Sequence, residues 1–298
     1  EAMTKQFSSA AAFKASIESH LRKRATERGV PLATLQLKFV IERLLARLFH
    51  ESKPPWLLKG GFALDLRFRP RARTTKDIDL SIALQTQGNP SKLIDVVRDQ
   101  LQLAVDREFG DFLVYRIGSP KRELTNAPGG GARFPCVAFL IGKVYAKFHI
   151  DVGFGDALIG EPDQLTGDDL LDFVGIPAAT VFAIPKHQQF AEKVHAYTFP
   201  WGDRLNTRTK DLVDLVLLLE RGELDLNSVR NAVVATFEKR GTHAQPVDLA
   251  PPPKEWKADF APMAVEAGLT TENYLDAFAK VSEFWKANGL GVVPDTNG

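Results

Sequence analysis

The segment that decides the fold is WLLKGGFAL, from Trp56 to Leu64, and RTTKDIDL follows it from Arg73 to Leu80. The first stretch reads as a strand that enters a glycine turn and then a short helix, and the second reads as another strand. Because side chains alternate across a strand, Asp77 and Asp79 should project from the same face. The sequence therefore predicts two neighbouring carboxylates shortly after a strand–turn–helix unit.

Asp77 and Asp79 would repel each other at this spacing unless a cation lies between them. Mg²⁺ prefers hard oxygen ligands and is commonly bound by one or two carboxylates together with substrate phosphates. The upstream turn at Gly60 and Gly61 lets backbone N–H groups approach a phosphate chain, because neither residue has a Cβ atom. These two features indicate metal-assisted chemistry on a nucleoside triphosphate.

A third carboxylate candidate is Asp151, in the strand-like segment YAKFHIDV from Tyr145 to Val152. Alternation places His149 and Asp151 on the same face. If this strand lies beside the strand of Asp77 and Asp79, the three carboxylates form a cluster able to hold two Mg²⁺ ions. Asp151 could instead act as a general base, or could simply lie on the solvated face of a sheet.

A second constellation lies on two predicted helices further along the chain. Lys193 on the first helix could bind a phosphate as a point charge, and Arg208 on the second could clamp one with its planar fork. Asp211 would then orient Lys193 or Arg208. The alternative is an amphipathic helix pair with ordinary surface ion pairs, which contribute little to stability.

The composition is that of an ordinary globular protein. Its 298 residues are 44% hydrophobic and 25% charged, and 38 Lys and Arg residues balance 37 Asp and Glu residues, so overall charge does not indicate nucleic-acid binding. The single cysteine, Cys136, excludes an internal disulfide and a cysteine zinc cluster, and its apolar neighbours predict a buried thiol. No apolar run approaches the roughly 20 residues that cross a bilayer, and no signal-peptide core is present, so we expect a cytoplasmic protein.

Periodicity along the chain predicts two regions of different character. The first contains helices over 9–29, 31–50 and 90–105, strands over 112–117, 133–141 and 144–154, and a loop or hairpin tip over 126–132. The second contains helices over 185–199, 207–221, 227–239 and 271–288, with a stiff break at Pro251 to Pro253. We therefore predict an α/β domain with N-terminal helices over 1–180 and a C-terminal helical domain over 181–298.

Taken together, these motifs resemble those of the AbiEii/AbiGii nucleotidyltransferase toxin family, whose MenT-like members belong to the DNA polymerase β-like nucleotidyltransferase superfamily. The resemblance rests on motifs that occur in this order: KGG at 59–61, DID at 77–79, Asp151, EKxHA at 192–196 and RxKDxxDL at 208–215. Glycine pairs and Asp-x-Asp are each common alone, whereas the ordered set is specific. The resemblance spans about residues 56–220, which is more than half of the chain.

The resemblance implies an α/β (α+β) fold in which a mixed-sheet nucleotidyltransferase core precedes a C-terminal helical bundle. The implied reaction is Mg²⁺-dependent transfer of a nucleoside monophosphate from an NTP to an acceptor hydroxyl, with release of pyrophosphate. Some members of this family add pyrimidine nucleotides to the 3′ acceptor end of tRNA, which blocks aminoacylation and stops translation. The resemblance further implies a toxin with two macromolecular partners, tRNA and a cognate antitoxin protein.

The first two motifs imply roles for the carboxylates and the glycine turn. By motif match, Gly60 and Gly61 would approach the triphosphate, and Asp77 and Asp79 would hold the metal ions. Asp151 matches the position of the third metal-binding carboxylate. The chain departs from the usual superfamily turn, which is Gly-Ser, so phosphate contacts at this turn would have to come from backbone N–H groups.

The two helical motifs imply further site residues. Lys193 and Asp211 match motifs that the family associates with nucleotide binding and activity. Arg208, three residues before Asp211, is our additional candidate for binding a nucleotide phosphate. We therefore count Lys193 and Asp211 among the candidate catalytic residues.

A basic stretch lies close to the predicted metal carboxylates. It consists of Arg69, Arg71, Arg73 and Lys76, and it could hold a tRNA backbone with strongly salt-dependent affinity. The alternative is an exposed loop that is kept in solution by its charge. Phosphorylation of either threonine at 74–75 would repel an incoming triphosphate, which suggests a means of switching the enzyme off.

Two other functions remain compatible with the same residues. The acceptor could be a small molecule or a protein side chain, because such transferases use the same metal core. The chain could also be a nucleotide-binding regulator without catalysis. The presence of both Asp77 and Asp79 argues for catalysis, since a regulator would be free to lose them.

Overall fold

The structure is a computed structural model that describes residues 7, 9–69, 75–82, 90–120, 122–123, 130–156, 158–168 and 170–291. Helices in these residues are α1 (Ala10–Arg28), α2 (Leu32–Leu48), α3 (Gly60–Phe68), α4 (Pro90–Val105), α5 (Lys186–Tyr197), α6 (Thr209–Arg221), α7 (Leu226–Arg240), α8 (Trp256–Ala267) and α9 (Tyr274–Ala287). Strands are β1 (Trp56–Lys59), β2 (Ile78–Ile82), β3 (Leu113–Ile117), β4 (Arg122–Glu123), β5 (Gly131–Leu140), β6 (Lys143–Phe154), β7 (Asp163–Thr166) and β8 (Thr180–Ala183).

The strands form one mixed sheet in the order β3-β5-β6-β2-β1-β8-β7, and β4 pairs with β5 outside this path. β5 and β6 form a long antiparallel hairpin, and β3 pairs antiparallel with β5. β2 lies parallel to β6, and β1 lies parallel to β8. The predicted fold class, a mixed-sheet α/β core followed by C-terminal helices, is confirmed.

The chain divides into two compact units. The first unit comprises residues 1–58, 76–155 and 164–183, and the second comprises 59–75, 156–163 and 184–298. The two-domain division with a boundary near residue 180 stays a prediction. Two short segments before that boundary, 59–75 and 156–163, belong to the second unit.

The first unit packs helices α1, α2 and α4 with the sheet. Two arginines that interrupt the apolar pattern of α2 are buried here, because Arg43 and Arg47 both pair with Asp111. Their closest nitrogens lie 2.7 Å from the two carboxylate oxygens, and the backbone N–H of Leu113 donates to the same carboxylate at 3.1 Å. We call Arg43, Arg47 and Asp111 the Asp111 cluster, which ties α2 to the start of β3.

The second unit has a helical core. Residues of α5 to α9 pack together around α6, where Leu212, Leu215 and Val216 are completely buried. Leu64 of α3 joins the same core. None of the described helices has both the length and the apolar character needed to cross a bilayer.

Most predicted elements are present, with ends that shift by up to three residues. The predicted loop over 126–132 is described only in part, because 126–129 lie outside the described residues and Gly131 begins β5. Cys136 is buried as predicted, and burial raises the pKa of its thiol. The prolines at 251–253 lie outside any helix, as predicted.

Sequence patterns missed α8 and the short strands β4, β7 and β8. Pro262 lies inside α8, and proline is a poor signal for a helix interior because it lacks an N–H donor. The helix nevertheless buries Trp256, Phe260 and Ala264 at intervals of four residues. Core packing therefore outweighs the local propensity of this segment.

Candidate active site

The chain turns from β1 into α3 at Gly60. This residue begins the helix with a φ of +66°, a left-handed conformation that disfavours any residue with a Cβ atom. Gln189 of α5 donates a hydrogen bond of 2.7 Å to the Gly60 carbonyl oxygen, and Gly61 is buried. The predicted strand–turn–helix unit is confirmed, and its glycine at position 60 has a conformational reason.

A buried ion network holds the residue that precedes this turn. Lys59 pairs with Asp156, and Arg240 lies 3.6 Å from Asp156 and 3.4 Å from Glu192. Burial lowers the pKa of Lys59, but the charges of Asp156 and Glu192 outweigh burial and leave that pKa raised. Lys59 therefore stays protonated. Sequence patterns did not predict this network, although Lys59 and Glu192 belong to two of the motifs.

The carboxylates of the first unit lie on neighbouring parallel strands. Asp79 of β2 is in register with Asp151 of β6, and Asp77 lies one residue before β2 begins. The predicted neighbourhood of the two strands is therefore confirmed. Along β6, Phe148 and Ile150 are buried while the intervening His149 is partly exposed, so the predicted alternation also holds.

An arginine that the sequence patterns did not single out lies among these carboxylates. Arg133 of β5 is in register with Asp151 and donates two hydrogen bonds to it, at 2.7 Å and 2.6 Å. Its Nη2 atom also lies 3.8 Å from Asp77. The hydrogen bonds to Asp151 outweigh burial and, together with the charges of all three carboxylates, raise the pKa of Arg133.

We call Asp77, Asp79, Arg133 and Asp151 the Arg133 cluster. His149 adjoins it, with Nδ1 at 3.6 Å from Asp77. The one signal that could have identified Arg133 is its position in an otherwise apolar strand, where Ala132 and Phe134 on either side are buried.

Asp77 and Asp79 fit a divalent metal ion, because they supply hard oxygen donors two residues apart at the start of β2. The side chain of Asp77 is 42% exposed. Both oxygens of Asp151, by contrast, accept hydrogen bonds from Arg133. Within the described residues, no group of three or more His, Cys, Asp or Glu side chains is arranged to hold a metal ion. The predicted three-carboxylate metal cluster stays a prediction, and the structure adds an arginine paired with its third carboxylate.

In the second unit, Lys193 of α5 lies between two carboxylates of α6. Its Nζ atom is 2.9 Å from Asp211 and 2.7 Å from Asp214, and both aspartates are buried. Arg208 lies 3.5 Å from the other oxygen of Asp211. We call these four residues the Lys193 cluster.

Asp211 thus contacts both Lys193 and Arg208, as the sequence analysis expected of an orienting residue. Asp214 was not among the predicted site residues, although its spacing of three from Asp211 places it on the same helix face. The guanidinium of Arg208 also lies 5.6 Å from the ring centre of Trp201. The cluster combines two buried anions with one cation that is mostly buried and one that is partly exposed.

His195, in the EKxHA motif, is a packed residue. It is 3% exposed, contacts the ring of Phe237, and has Nε2 at 2.9 Å from the Thr242 hydroxyl. Burial, followed by the charge of Arg240, lowers its pKa to about 3. His195 is therefore neutral near pH 7.

The predicted RNA contacts are described only in part. Arg69 is partly buried and Lys76 is exposed, while Arg71 and Arg73 lie outside the described residues. Of the two candidate phosphorylation sites, Thr75 is described and residue 74 lies outside the described residues.

A glycine turn before an Asp-x-Asp strand, with a third carboxylate on the neighbouring parallel strand, is the arrangement that the sequence motifs led us to expect of a nucleotidyltransferase. The family described as nucleotidyl transferase AbiEii toxin, type IV toxin–antitoxin system, matches residues 43–283. Since this match covers more than half of the chain, the protein belongs to the AbiEii nucleotidyltransferase toxin family. It is a nucleotidyltransferase and the toxin of a toxin–antitoxin system, which implies an antitoxin partner.

Among solved structures, the chain resembles MenT4, a nucleotidyltransferase toxin from Mycobacterium tuberculosis H37Rv. The two are 19% identical with a TM-score of 0.59, and the match covers 94% of this chain and 90% of that one. At this identity the likeness establishes the fold. No curated protein matches the sequence. The resemblance inferred from the motifs is confirmed by the family match.

Proposed function

We propose that this toxin transfers a pyrimidine nucleoside monophosphate from an NTP to the 3′ acceptor end of tRNA in a Mg²⁺-dependent reaction. The addition would block aminoacylation and so stop translation. The observation that carries the proposal is the register of Asp79 beside Asp151, with Asp77 at the start of the same strand. The proposed site of action is the cytoplasm, where tRNA and NTPs are found.

In the proposed reaction, the acceptor hydroxyl oxygen forms a bond to the α-phosphorus, and the bond from that phosphorus to the bridging oxygen of pyrophosphate breaks. The hydroxyl proton leaves to solvent or to a nearby base. Asp77 and Asp79 would hold Mg²⁺, which supplies charge neutralisation for the triphosphate and the departing pyrophosphate. Asp151, as the third proposed catalytic carboxylate, supports this site through its pairing with Arg133.

The second unit supplies the proposed nucleotide-binding residues. The backbone at Gly60 and Gly61 begins α3, and the N-terminus of a helix favours a phosphate. Arg208 keeps 28% of its side chain exposed and could clamp a phosphate. Lys193 would bind a phosphate of the nucleotide from a fixed position, because Asp211 and its helix neighbour Asp214 hold its ammonium group.

The tRNA assignment is supported by the basic stretch and by family membership. Lys76 is exposed beside Asp77, and Arg69 is described at the end of α3. Arg71 and Arg73 are included on the basis of the sequence, because they lie outside the described residues. We propose that these four residues contact the tRNA backbone, and their contribution should weaken as salt concentration rises.

The test is to incubate the purified protein with Mg²⁺, total tRNA and each labelled NTP in turn. We expect label on tRNA from CTP or UTP, none with Asp77→Ala, and normal labelling with Asp99→Ala, a matched aspartate whose side chain is 67% exposed. Periodate oxidation of the tRNA 3′ end should abolish labelling, because it removes the acceptor hydroxyl.

Three outcomes would redirect the proposal. Label from ATP or GTP would replace the donor assignment, and label that survives periodate would move the acceptor away from the 3′ end. Failure to label tRNA with any NTP would overturn the tRNA assignment, and pyrophosphate release with a protein or small-molecule acceptor would then identify the alternative.

A further inference from the structure

Arg133 lies where the sequence alone suggested a second metal ion. Three strands present one residue each at the same level of the sheet, since Asp79 is in register with Asp151 and Asp151 with Arg133. Residues in register on neighbouring strands project from the same face. The guanidinium is therefore built into the row of carboxylates by strand pairing.

The geometry fixes the orientation of this guanidinium. Two parallel N–H···O bonds at 2.7 Å and 2.6 Å engage both oxygens of Asp151, and a further nitrogen contact of 3.8 Å reaches Asp77. A bidentate pair of this kind is stronger and more directional than a single contact. A metal ion bound through Asp151 would have to compete with these bonds.

Charge also decides how many ions the cluster can accept. Asp77, Asp79 and Asp151 carry three negative charges and Arg133 carries one positive charge, so a single divalent ion neutralises the cluster. A second divalent ion would leave the nucleotide-free cluster with a net positive charge. In the nucleotide-free protein no triphosphate offsets this charge, so the guanidinium and the first ion would both repel a second ion.

We propose that the chain binds one divalent cation through Asp77 and Asp79, and that Arg133 replaces a second metal ion by holding Asp151 in a fixed ion pair. Arg133 is thus a positioning residue for the metal site. The proposal rests on the proposed metal-dependent function, and it assigns Arg133 and Asp151 roles that differ from the three-carboxylate scheme.

The experiment counts bound Mn²⁺ ions on the full, nucleotide-free chain by electron paramagnetic resonance of the free ion. We expect one ion for the unmodified protein, loss of that ion with Asp77→Ala, and retention of it with Asp151→Asn. Arg133→Met should bind a second Mn²⁺ or hold the first about tenfold more tightly, because a positive charge is removed. Arg133→Lys should remain at one ion.

The matched control is Arg116→Met, on the neighbouring strand β3. Arg116 is 65% exposed and pairs at 3.6 Å with Asp106, so this variant should leave Mn²⁺ stoichiometry and affinity unchanged. Circular dichroism of each variant checks that it folds. If Arg133→Met fails to fold, Asp151→Asn still decides the question through its retention or loss of the ion.

Several results would overturn the proposal: two ions or none on the unmodified protein, loss of the ion with Asp151→Asn, or a folded Arg133→Met with unchanged stoichiometry and affinity. Nucleotide transfer by the unmodified protein is measured on the same preparation. Transfer with two bound ions would refute the role of Arg133 and leave the proposed function standing. One bound ion without transfer to any acceptor would support the role of Arg133 and refute the proposed function.

Discussion

The Asp111 cluster and the Arg133 cluster both pair arginine with aspartate, but arginines outnumber carboxylates in the first and carboxylates outnumber arginines in the second. In the Asp111 cluster, two arginines surround one carboxylate that is completely buried. In the Arg133 cluster, one arginine that is 34% exposed serves three carboxylates. The first is closed and has excess positive charge, whereas the second is open to solvent and has excess negative charge. The difference separates an ion pair that holds the fold from one that we propose as a cation site.

The largest expected effect comes from removing the buried carboxylate. Asp111→Ala leaves Arg43 and Arg47 buried without their carboxylate and should lower the free energy of unfolding by about 3–5 kcal/mol. The matched change Asp151→Ala should lower it by less, because Arg133 is 34% exposed and keeps Asp77 as a neighbour. Urea unfolding followed by circular dichroism measures both. Equal losses of unfolding free energy in the two variants would show that the Asp111 cluster stabilises the fold no more than the Arg133 cluster does.

The Lys193 cluster can show whether burial or charge balance determines how much an ion pair contributes to the free energy of unfolding. It resembles the Arg133 cluster in having more than one carboxylate around a cation, but Asp211 and Asp214 are buried like Asp111. If burial sets the energetic effect, Lys193→Met should lower the free energy of unfolding by about 3–5 kcal/mol. Adding Asp211→Asn and Asp214→Asn should restore part of that loss. A loss below about 1 kcal/mol for Lys193→Met would instead assign the effect to charge balance.

Acid should weaken the two units at different pH values. Burial lowers the pKa of His195 to about 3, so its contribution to stability is complete above pH 6.5 and is lost as pH falls from 6.5 towards 3. Burial raises the pKa of Asp111, but Arg47 and Arg43 outweigh burial and lower it, so its contribution is lost only below about 3.8.

Between about pH 6.5 and pH 4, His195 should therefore contribute a slope of at most about 1.4 kcal/mol per pH unit in the free energy of unfolding. Thermal unfolding across this range measures the slope. It should flatten in His195→Gln and persist in His50→Gln, whose side chain is exposed. An unchanged slope in His195→Gln would assign the acid sensitivity to other groups.

The smallest expected effect is the dependence of the clusters on salt. A double-mutant cycle with Arg133→Met and Asp151→Asn should give a coupling of about 1–3 kcal/mol that shrinks at high salt, because the guanidinium is 34% exposed. The corresponding cycle with Arg47→Met and Asp111→Asn should give a larger coupling that salt barely changes. Equal salt dependence would mean that both pairs are equally accessible to solvent.

The sequence was most informative where a single local pattern determines the position of a residue or turn. Alternation along β6 placed Asp151 correctly, and the glycine turn predicted the junction of β1 and α3. Arg133 could not be predicted in the same way, because its role depends on the register between β5 and β6. Neither strand specifies that register by itself, and a shift of one residue would turn Arg133 to the other face.

The Lys193 cluster shows a similar limit. Each helix pattern identified its own charged residues, and the expected contacts of Asp211 are present. The burial of Asp214 and of Lys59 depends on how several helices pack, which local spacing does not contain. Burial of charged groups is a property of tertiary packing, and for that reason the sequence offered surface ion pairs as an equally good interpretation.

The parallel pairing of β2 with β6 also has a consequence for the timing of toxicity. Asp79 meets Asp151 only after the intervening helix and strands have been synthesised and β6 has added to the sheet. Pairing between strands so distant in sequence forms late and slowly. A nascent chain that has not yet reached β6 therefore lacks the complete row of charged residues. Under the proposed function, nucleotide transfer therefore cannot begin until more than half of the polypeptide has been synthesised.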